Sequence, residues 1–373
     1  MDICHLTINP IDYERRINNQ AESSKRANHT VWILALGKPG ETSTFKKNKI
    51  PVRRIITAFH RGGPLKFIHF NMKVFLYLIP KHLDILHCHD LWVLPCAYLL
   101  RIFKKFSVIY DAHEYYEGLE IFNRNKIRKK IWMLAERIAI KKVNYLITVS
   151  EPIARLYIQK YPGLTNIEVI RNVAKRETNL ASKKSDKFPE TEKKIVVFQG
   201  MFRPGRGLIQ LIEAMTILDG VHLLLIGGGE LEGKIREKII ALNLQNKISL
   251  IGYVPLDQLI ATTSGADLGV ALFEKTSLNY SYALPNKFFE YIMAGIPVLA
   301  SDLETIEEYI KTYEIGLTVN PQNVQEIANA IQQMLSDEDR LYKWRENTVI
   351  ASRILNWENE SQKLNKIYEK IQV

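Results

Sequence analysis

The sequence predicts an α/β protein of two domains, each a parallel sheet flanked by helices. Three observations carry this. The 373 residues suffice for two domains of ordinary size. The first half opens strand, loop, helix, strand, the order that builds a parallel sheet. After a polar, charged stretch over 174–193, which reads as a linker, the same order starts again at Ile195. The expected domains are 1–173, joined by a returning C-terminal helix over 355–373, and 194–354.

Taken in order, residues 3–6 form a short strand that leads into the loop Thr7-Ile8-Asn9-Pro10. The polar, basic segment 12–28 is expected to be helical and 31–36 to be a second buried strand. Residues 85–87, 108–110 and 145–149 are further strands, each rich in β-formers and ended by a polar turn. In an open parallel sheet, chain just past the carboxyl ends of strands lines the ligand cleft. That rule singles out Asn9 and the run Tyr110-Asp111-Ala112-His113-Glu114. Arg15 and Arg16 are candidate contacts to an anionic partner, with solvated arginines as the alternative.

Residues 125–143 are the strongest amphipathic helix. Ile127, Ile131, Leu134 and Ile138 make an apolar stripe at helical spacing, with Lys126, Lys129, Lys130, Arg137 and Lys141 off it. Such a helix either covers a sheet or lies on anionic lipid. The segment 67–78, with Arg61, Lys66 and Lys73 near it, is a second candidate membrane contact.

In the second half, 195–198 is a strand. The turn Gly200-Met201-Phe202-Arg203-Pro204-Gly205-Arg206-Gly207 follows, then a helix from Leu208. A glycine-rich turn into a helix start with two arginines suits a diphosphate; a surface turn is the alternative. Strands over 221–226 and 248–251 end in Gly227-Gly228-Gly229 and Gly252-Tyr253-Val254. A strand over 267–272 is followed by NYSYALPNKFFEYIMAGIPVLAS, residues 279–301. Pro285 suits a first helical position, Gly295 ends the helix, and 298–300 reads as a buried strand. Asn286, Lys287 and Glu290 share one face of that helix. Its start, with a lysine beside it, is an anion site, and a carboxylate one turn on can accept bonds from vicinal hydroxyls. The alternative is a capped helix with Lys287 and Glu290 as a surface pair.

Composition excludes some classes. Residues 1–173 hold 28 Lys and Arg against 14 Asp and Glu, and the remainder 23 against 26. The basic half implies an anionic partner, nucleic acid or an anionic membrane surface. Basic patches interleaved with stacking aromatics are not evident, so nucleic acid is not expected. No apolar run reaches the roughly 18–20 residues that cross a bilayer. Cys4, Cys88 and Cys96 have no metal spacing and leave an odd thiol. With no signal peptide in view, a cytoplasmic location is expected, peripheral on the inner face of the membrane if attached at all. His87-Cys88-His89-Asp90 reads as a strand end, not a zinc site, because no second ligand cluster follows it. No Gly-x-Gly-x-x-Gly follows a strand, which leaves a dinucleotide cofactor without support.

The run P-N-K-x-x-E-Y-x-x-A-G-x-P-V resembles the donor-site helix of glycosyltransferase family 4, retaining enzymes of the GT-B fold. The resemblance extends over most of the chain. It implies two Rossmann-like domains facing a deep cleft, with the last helix crossing back to the first. It places Glu290 on the ribose of a nucleotide-sugar and Tyr282 where many members have a second glutamate. The Y-D-x-H-E segment gives His113 the contact to the sugar at the reaction centre. Gly200 to Gly207 resembles the family's G-R-x-x-x-x-K-G, with Met201 at its arginine and Arg206 at its lysine, so that Arg203 compensates. The turn at Tyr253 and Val254 is expected to meet the nucleobase.

The function expected is transfer of a sugar, from a UDP-sugar in the first instance, to a glycan or lipid-diphosphate-linked acceptor in cell-surface polysaccharide or lipopolysaccharide synthesis. Catalytic roles fall to His113, Arg206 and Lys287. The donor meets Met201, Arg203, Arg206, Gly229, Tyr253, Val254, Tyr282, Ala283, Leu284, Pro285, Asn286, Lys287 and Glu290. The acceptor side holds Asn9, Arg16, His113 and Glu114. No metal or other cofactor is expected: there is no Asp-x-Asp, and fixed cations in a dry site stabilise a leaving diphosphate. The alternatives are an epimerase or hydrolase of the same fold, or a non-catalytic basic protein binding membrane or nucleic acid.

Overall fold

The computed structural model describes residues 1–59, 63–123, 125–176, 188–282 and 284–372. Ala283, Arg61 and most of the expected linker, 177–187, lie outside the described residues. The chain divides into two compact units, Met1–Arg171 with Glu360–Val373, and Asn172–Asn359.

The first unit carries eight strands: β1 Asp2–Leu6, β2 Thr30–Gly37, β3 Thr44–Lys47, β4 Ile50–Ile56, β5 Ile85–His89, β6 Ser107–Ala112, β7 Tyr145–Thr148 and β8 Ile167–Val169. Their order is β3-β4-β2-β1-β5-β6-β7-β8. All neighbours are parallel except β3 and β4, which pair antiparallel at the edge. That edge was not expected from the sequence. Central strands are buried on both faces, as parallel sheets require. Ile33 and Val52 pack with Ile17 and Ala21 of helix α1, Arg15–Arg26. Two further helices, α2 Pro64–Leu78 and α3 Leu94–Phe103, follow β4 and β5.

The second unit has β9 Lys194–Met201, β10 Val221–Gly228, β11 Ile248–Gly252, β12 Leu268–Ala271, β13 Val298–Ser301 and β14 Gly316–Val319. They form one sheet in the order β11-β10-β9-β12-β13-β14, parallel throughout. Its core joins Phe198, Leu223 and Leu225 to Ile212 and Met334 on the covering helices. Where β9 and β10 end, Gly227 has φ 132°, and a Cβ there would lie 2.0 Å from the Gly200 carbonyl oxygen. Only glycine fits that approach.

The last helix, Trp357–Gln372, belongs to the first unit from Glu360 onward. The buried Glu360 carboxylate accepts from the Arg171 side chain, and Tyr368 Oη lies 3.0 Å from His87 Nδ1. Among the described residues no helix is long and apolar enough to cross a membrane.

Candidate functional site

Among the parallel strands of each sheet there is one point at which the chain's direction of travel reverses. In the second unit β9 leads to β10 and β11 on one side, while β12 starts the other. In the first unit the reversal lies between β1 and β5. Loops leaving the carboxyl ends of such a strand pair diverge and leave a crevice, the usual ligand position in open parallel sheets. Two polar clusters sit there.

The cluster of the second unit is built from the turn after β9, the loop after β12 and the helix Asn286–Met293. Backbone pairing of Glu274 N–H with the Gly205 carbonyl, at 3.0 Å, ties turn to loop. Lys287 is buried and its ammonium has no hydrogen-bond partner among the described residues. It lies 3.4 Å from the centre of the Phe198 ring and 5.3 Å from that of Phe273. Burial and the neighbouring Arg206 hold its pKa well below the usual lysine value, against the pull of Glu290. Arg206 is half-buried, stacked at 5.2 Å over Phe273, and its Nε is also unpartnered. Burial lowers its pKa, with Tyr280 acting against that. Two desolvated cations side by side are costly unless an anion joins them.

Glu290 is buried, with Oε2 accepting from Gln199 Nε2 at 2.6 Å, while Thr263 Oγ1 donates to Gln199 Oε1 at 2.6 Å. The surface-pair alternative therefore fails for Lys287 and Glu290, since both are buried. Tyr291 anchors the helix: its hydroxyl accepts from Gln199 N–H at 3.0 Å and donates to the Val270 carbonyl at 3.1 Å.

Other expected donor residues are placed as follows. Pro285 precedes the helix as its N-cap instead of occupying its first position, and Asn286, the first helical residue, is exposed. Leu284 and Val254 are buried, Tyr282 is half-buried, and Tyr253 is exposed. Gly229 follows β10 with φ 153°. Met201 ends β9 exposed, and Arg203 is exposed on the turn that holds Arg206. The charge of Arg203 acts on Arg206, and that of Arg206 on Lys287. Phe198, Gln199, Thr263, Phe273 and Tyr280 were missed.

In the first unit the cluster centres on His113, just past β6. Its Nδ1 lies 3.2 Å from Asp90 Oδ1 and its Nε2 3.4 Å from Asp111 Oδ2. Burial alone would lower the imidazole's pKa; the two carboxylates outweigh it and raise the value to about 9. Asp90, just past β5, is held at φ 74°, a backbone state that costs a non-glycine residue energy. Tyr116 Oη donates to it at 2.5 Å and Asn9 Nδ2 at 3.3 Å. Burial pushes the Glu14 carboxyl above its ordinary value, against the pull of His113. Glu114 is exposed beside this group.

Arg16 corrects the expectation of an anionic contact. It is buried, with Nε and Nη2 on the two oxygens of Asp111 at 2.9 and 2.7 Å, and Nη1 on the Ile170 carbonyl at 2.7 Å. Those donors are spent inside the fold. Burial alone would raise the Asp111 pKa, but Arg16 and His113 hold it well below the usual range.

The expectation that no second ligand cluster accompanies His87 and His89 also needs correction. His5, His87 and His89 bring nitrogens within 4.8 Å of one another, as do ligand atoms of His89, Asp111 and His113. The first triad is a stack, with rings 4.6 to 5.2 Å apart and tilted by 9 to 26°. Imidazole lone pairs lie in the ring plane, so near-parallel rings cannot all point at one ion about 2.0–2.1 Å away. In the second, Asp111 already accepts from Arg16 and Gln20.

A buried lysine and a stacked arginine at the reversal of one parallel sheet, with a carboxylate-clamped histidine at the reversal of another, define a two-unit α/β protein suited to phosphorylated ligands. The comparisons make this specific. The model described as Glycosyltransferase Family 4 matches residues 13–175, and that of Glycosyl transferases group 1 matches 181–349. The chain belongs to the family-4 glycosyltransferases, whose GT-B fold it shares.

Chitobiosyldiphosphodolichol beta-mannosyltransferase of Candida albicans is 23% identical over 274 residues, 68% of this chain and 59% of that protein. The match thus spans less than two thirds of this curated relative. Sucrose-phosphate synthase of Thermosynechococcus elongatus superposes with a TM-score of 0.78 at 18% identity, over 99% of this chain and 98% of that one. HepE of Anabaena, solved with UDP and glucose, gives 0.77 at 17% identity over 99% of each chain.

Proposed function

We propose that the protein transfers a sugar from a nucleotide-sugar to a hydroxyl of a glycan or lipid-diphosphate-linked acceptor in cell-surface glycan assembly, lipopolysaccharide included. The observation that carries the proposal is the unpartnered, buried ammonium of Lys287 beside Arg206 at the reversal of the second sheet. Such a pair is destabilising in the empty protein and is neutralised by a diphosphate. Arg203 adds charge at the rim, and Glu290, aligned by Gln199, takes the ribose hydroxyls. As the nucleoside diphosphate leaves, negative charge grows on its bridging oxygen, and preorganised cations stabilise it there. Neutralisation by these side chains makes the reaction metal-independent in this reading, so turnover in a chelator should persist.

UDP is the expected nucleotide, since a neighbouring fold holds UDP; GDP is the competitor to test against it. His113, whose imidazolium is held between Asp90 and Asp111, marks the acceptor side in the first unit, with Asn9 and Glu114 beside it. Retention at the anomeric carbon is the expectation that the family resemblance sets. Work at the inner face of the membrane follows from a lipid-linked acceptor.

The test is a thermal-shift titration with UDP, GDP and their sugars. A ligand at about 100 times its Kd should add about 2.7 kcal/mol of stability. The shift should vanish in Arg206→Ala. Equal shifts in parent and variant, or none with any nucleotide, overturn the reading. Release of free sugar without acceptor, undiminished when glycan acceptors are added, would make the protein a hydrolase.

A further inference from the structure

The amphipathic helix Lys126–Ala139 does not bury its apolar stripe. Ile127, Ile131, Leu134 and Ile138 are all exposed, between 41 and 74%. Helix α2 shows the same pattern: Leu65, Ile68, Met72 and Leu76 recur at helical spacing and are exposed. Between them α3 adds Leu99, Ile102 and Phe103, likewise exposed, and packs against both neighbours. A groove of about 830 Å³ runs between the three helices. Phe67 and Trp132 line it, their rings 5.5 Å apart, with Trp92 edge-on to Trp132 at 4.7 Å. None of the groove residues belongs to either polar cluster. A soluble surface rarely leaves so continuous an apolar area uncovered.

The charges say what covers it. Neither α2 nor α3 contains an aspartate or glutamate, and the one carboxylate of Lys126–Ala139, Glu136, is buried under Lys160 and Tyr161. The exposed Lys126, Lys130 and Arg137 follow one edge of the stripe, while Lys73 and Lys105 are exposed on and after the other two helices. Among the described residues these apolar faces are rimmed mainly by cations, the part-exposed Glu117 being paired with Lys129 and Lys160, and such faces match a leaflet with anionic headgroups over hydrocarbon. A protein partner would have to bring its own acids to so one-sided a surface.

We propose that α2, α3 and Lys126–Ala139 together form a bilayer-docking face. The exposed stripes enter the outer hydrocarbon of an anionic leaflet, and the groove takes a lipid acyl chain against Phe67 and Trp132. The inference deepens, and for its purpose rests on, the lipid-linked acceptor reading: a docked first unit works where such an acceptor is anchored. The sequence alone offers Lys126–Ala139 as either a sheet cover or a lipid contact, and the exposed stripe favours the second.

The test is flotation of the full chain with vesicles of phosphatidylcholine alone or mixed with phosphatidylglycerol, at low and high salt. The parent should float with the mixed vesicles, weakly with phosphatidylcholine, and less at high salt. The double variant Ile131→Glu, Leu134→Glu changes exposed positions only and should lose about tenfold or more in partitioning. It should keep the parent's nucleotide-induced thermal shift. A parent that stays in solution with every vesicle, or a variant that floats as well as the parent, overturns the proposal. So does a parent dimer that the double variant dissociates, with no vesicle binding, since a second copy would then cover the face. Flotation of a parent that responds to no nucleotide would sink the transferase reading and leave the docking face standing.

Discussion

The ammonium of Lys287 lies 3.4 Å above the centre of the Phe198 ring and has no hydrogen-bond acceptor among the described residues. A ring face offsets part of the lost hydration, but less than a carboxylate or phosphate would. Lys287→Met keeps most of the volume and removes the charge. The variant should be more stable than the parent without ligand, by about 1–3 kcal/mol, and should give no thermal shift with nucleoside diphosphates. Denaturant melts with and without UDP read both. A less stable variant would mean that the ammonium is satisfied in the empty protein.

The same lysine links binding to protons. Its folded pKa is depressed, so below the ordinary value of 10.5 there is a window in which the unfolded chain holds a proton that the folded one lacks. Stability of the empty protein should therefore rise with pH through that window. A bound diphosphate restores the charged form, so binding should take up protons on the alkaline side. Calorimetry in buffers of different ionisation enthalpy measures this. A heat independent of buffer, at pH values where the empty lysine is neutral, would refute the linkage.

Glu290 and Gln199 should separate nucleoside from phosphate recognition. Glu290→Ala removes the acceptor for ribose hydroxyls and leaves the Gln199 amide without its partner at 2.6 Å. A hydrogen bond to a charged group contributes about 1.5–3 kcal/mol, so the Kd for UDP should rise roughly ten- to a hundredfold. Inorganic pyrophosphate, held by Arg206 and Lys287, should bind as before. Equal losses for both ligands would mean that Glu290 does not meet the ribose.

What could be read in the sequence was what local spacing determines. Lys287 and Glu290 are three apart on one short helix, and the strands were legible because parallel strands are continuously apolar. Asp90 could not be assigned, because its partners Asn9 and Tyr116 come from other strands' loops. His5 stands far upstream of His87 and His89 and joins them only because β1 and β5 are sheet neighbours. Arg16 reads as a surface arginine on a polar helix; only the sheet order brings Asp111 beneath it. The stripe of Lys126–Ala139 shows another limit: periodicity reveals an apolar face and not what covers it.

The Arg16–Asp111 pair should be structural. Both side chains are buried, and the guanidinium spans both carboxylate oxygens. Arg16→Ala leaves a buried carboxylate that has lost its main counterion, which costs about 3–5 kcal/mol. Chemical denaturation should register that loss. Under conditions in which the variant remains folded, its UDP affinity should match the parent's. A variant with near-parent stability but altered ligand affinity would restore Arg16 to the binding site.

His113 sets the alkaline limit of the first unit's stability. Its pKa rises from 6.5 in the unfolded chain to about 9, because Asp90 and Asp111 outweigh the opposing effect of burial. Folding therefore takes up a proton between these values. The stabilisation is complete below pH 6.5 and is lost as pH climbs through about 9. Its size is at most about 3 kcal/mol, less whatever solvent screens at the part-exposed ring. His5, His87 and His89 act in the opposite sense. Burial lowers all three, so the unfolded chain gains protons first as pH falls below 6.5. The contribution of these four histidines should peak near the ordinary histidine pKa and fall on both sides, with Lys287 opposing the fall on the alkaline side. His113→Gln should flatten the alkaline limb and leave the acid limb, as urea melts across the pH range would show. An alkaline limb that survives in His113→Gln would mean that the carboxylates do not hold a proton on this ring.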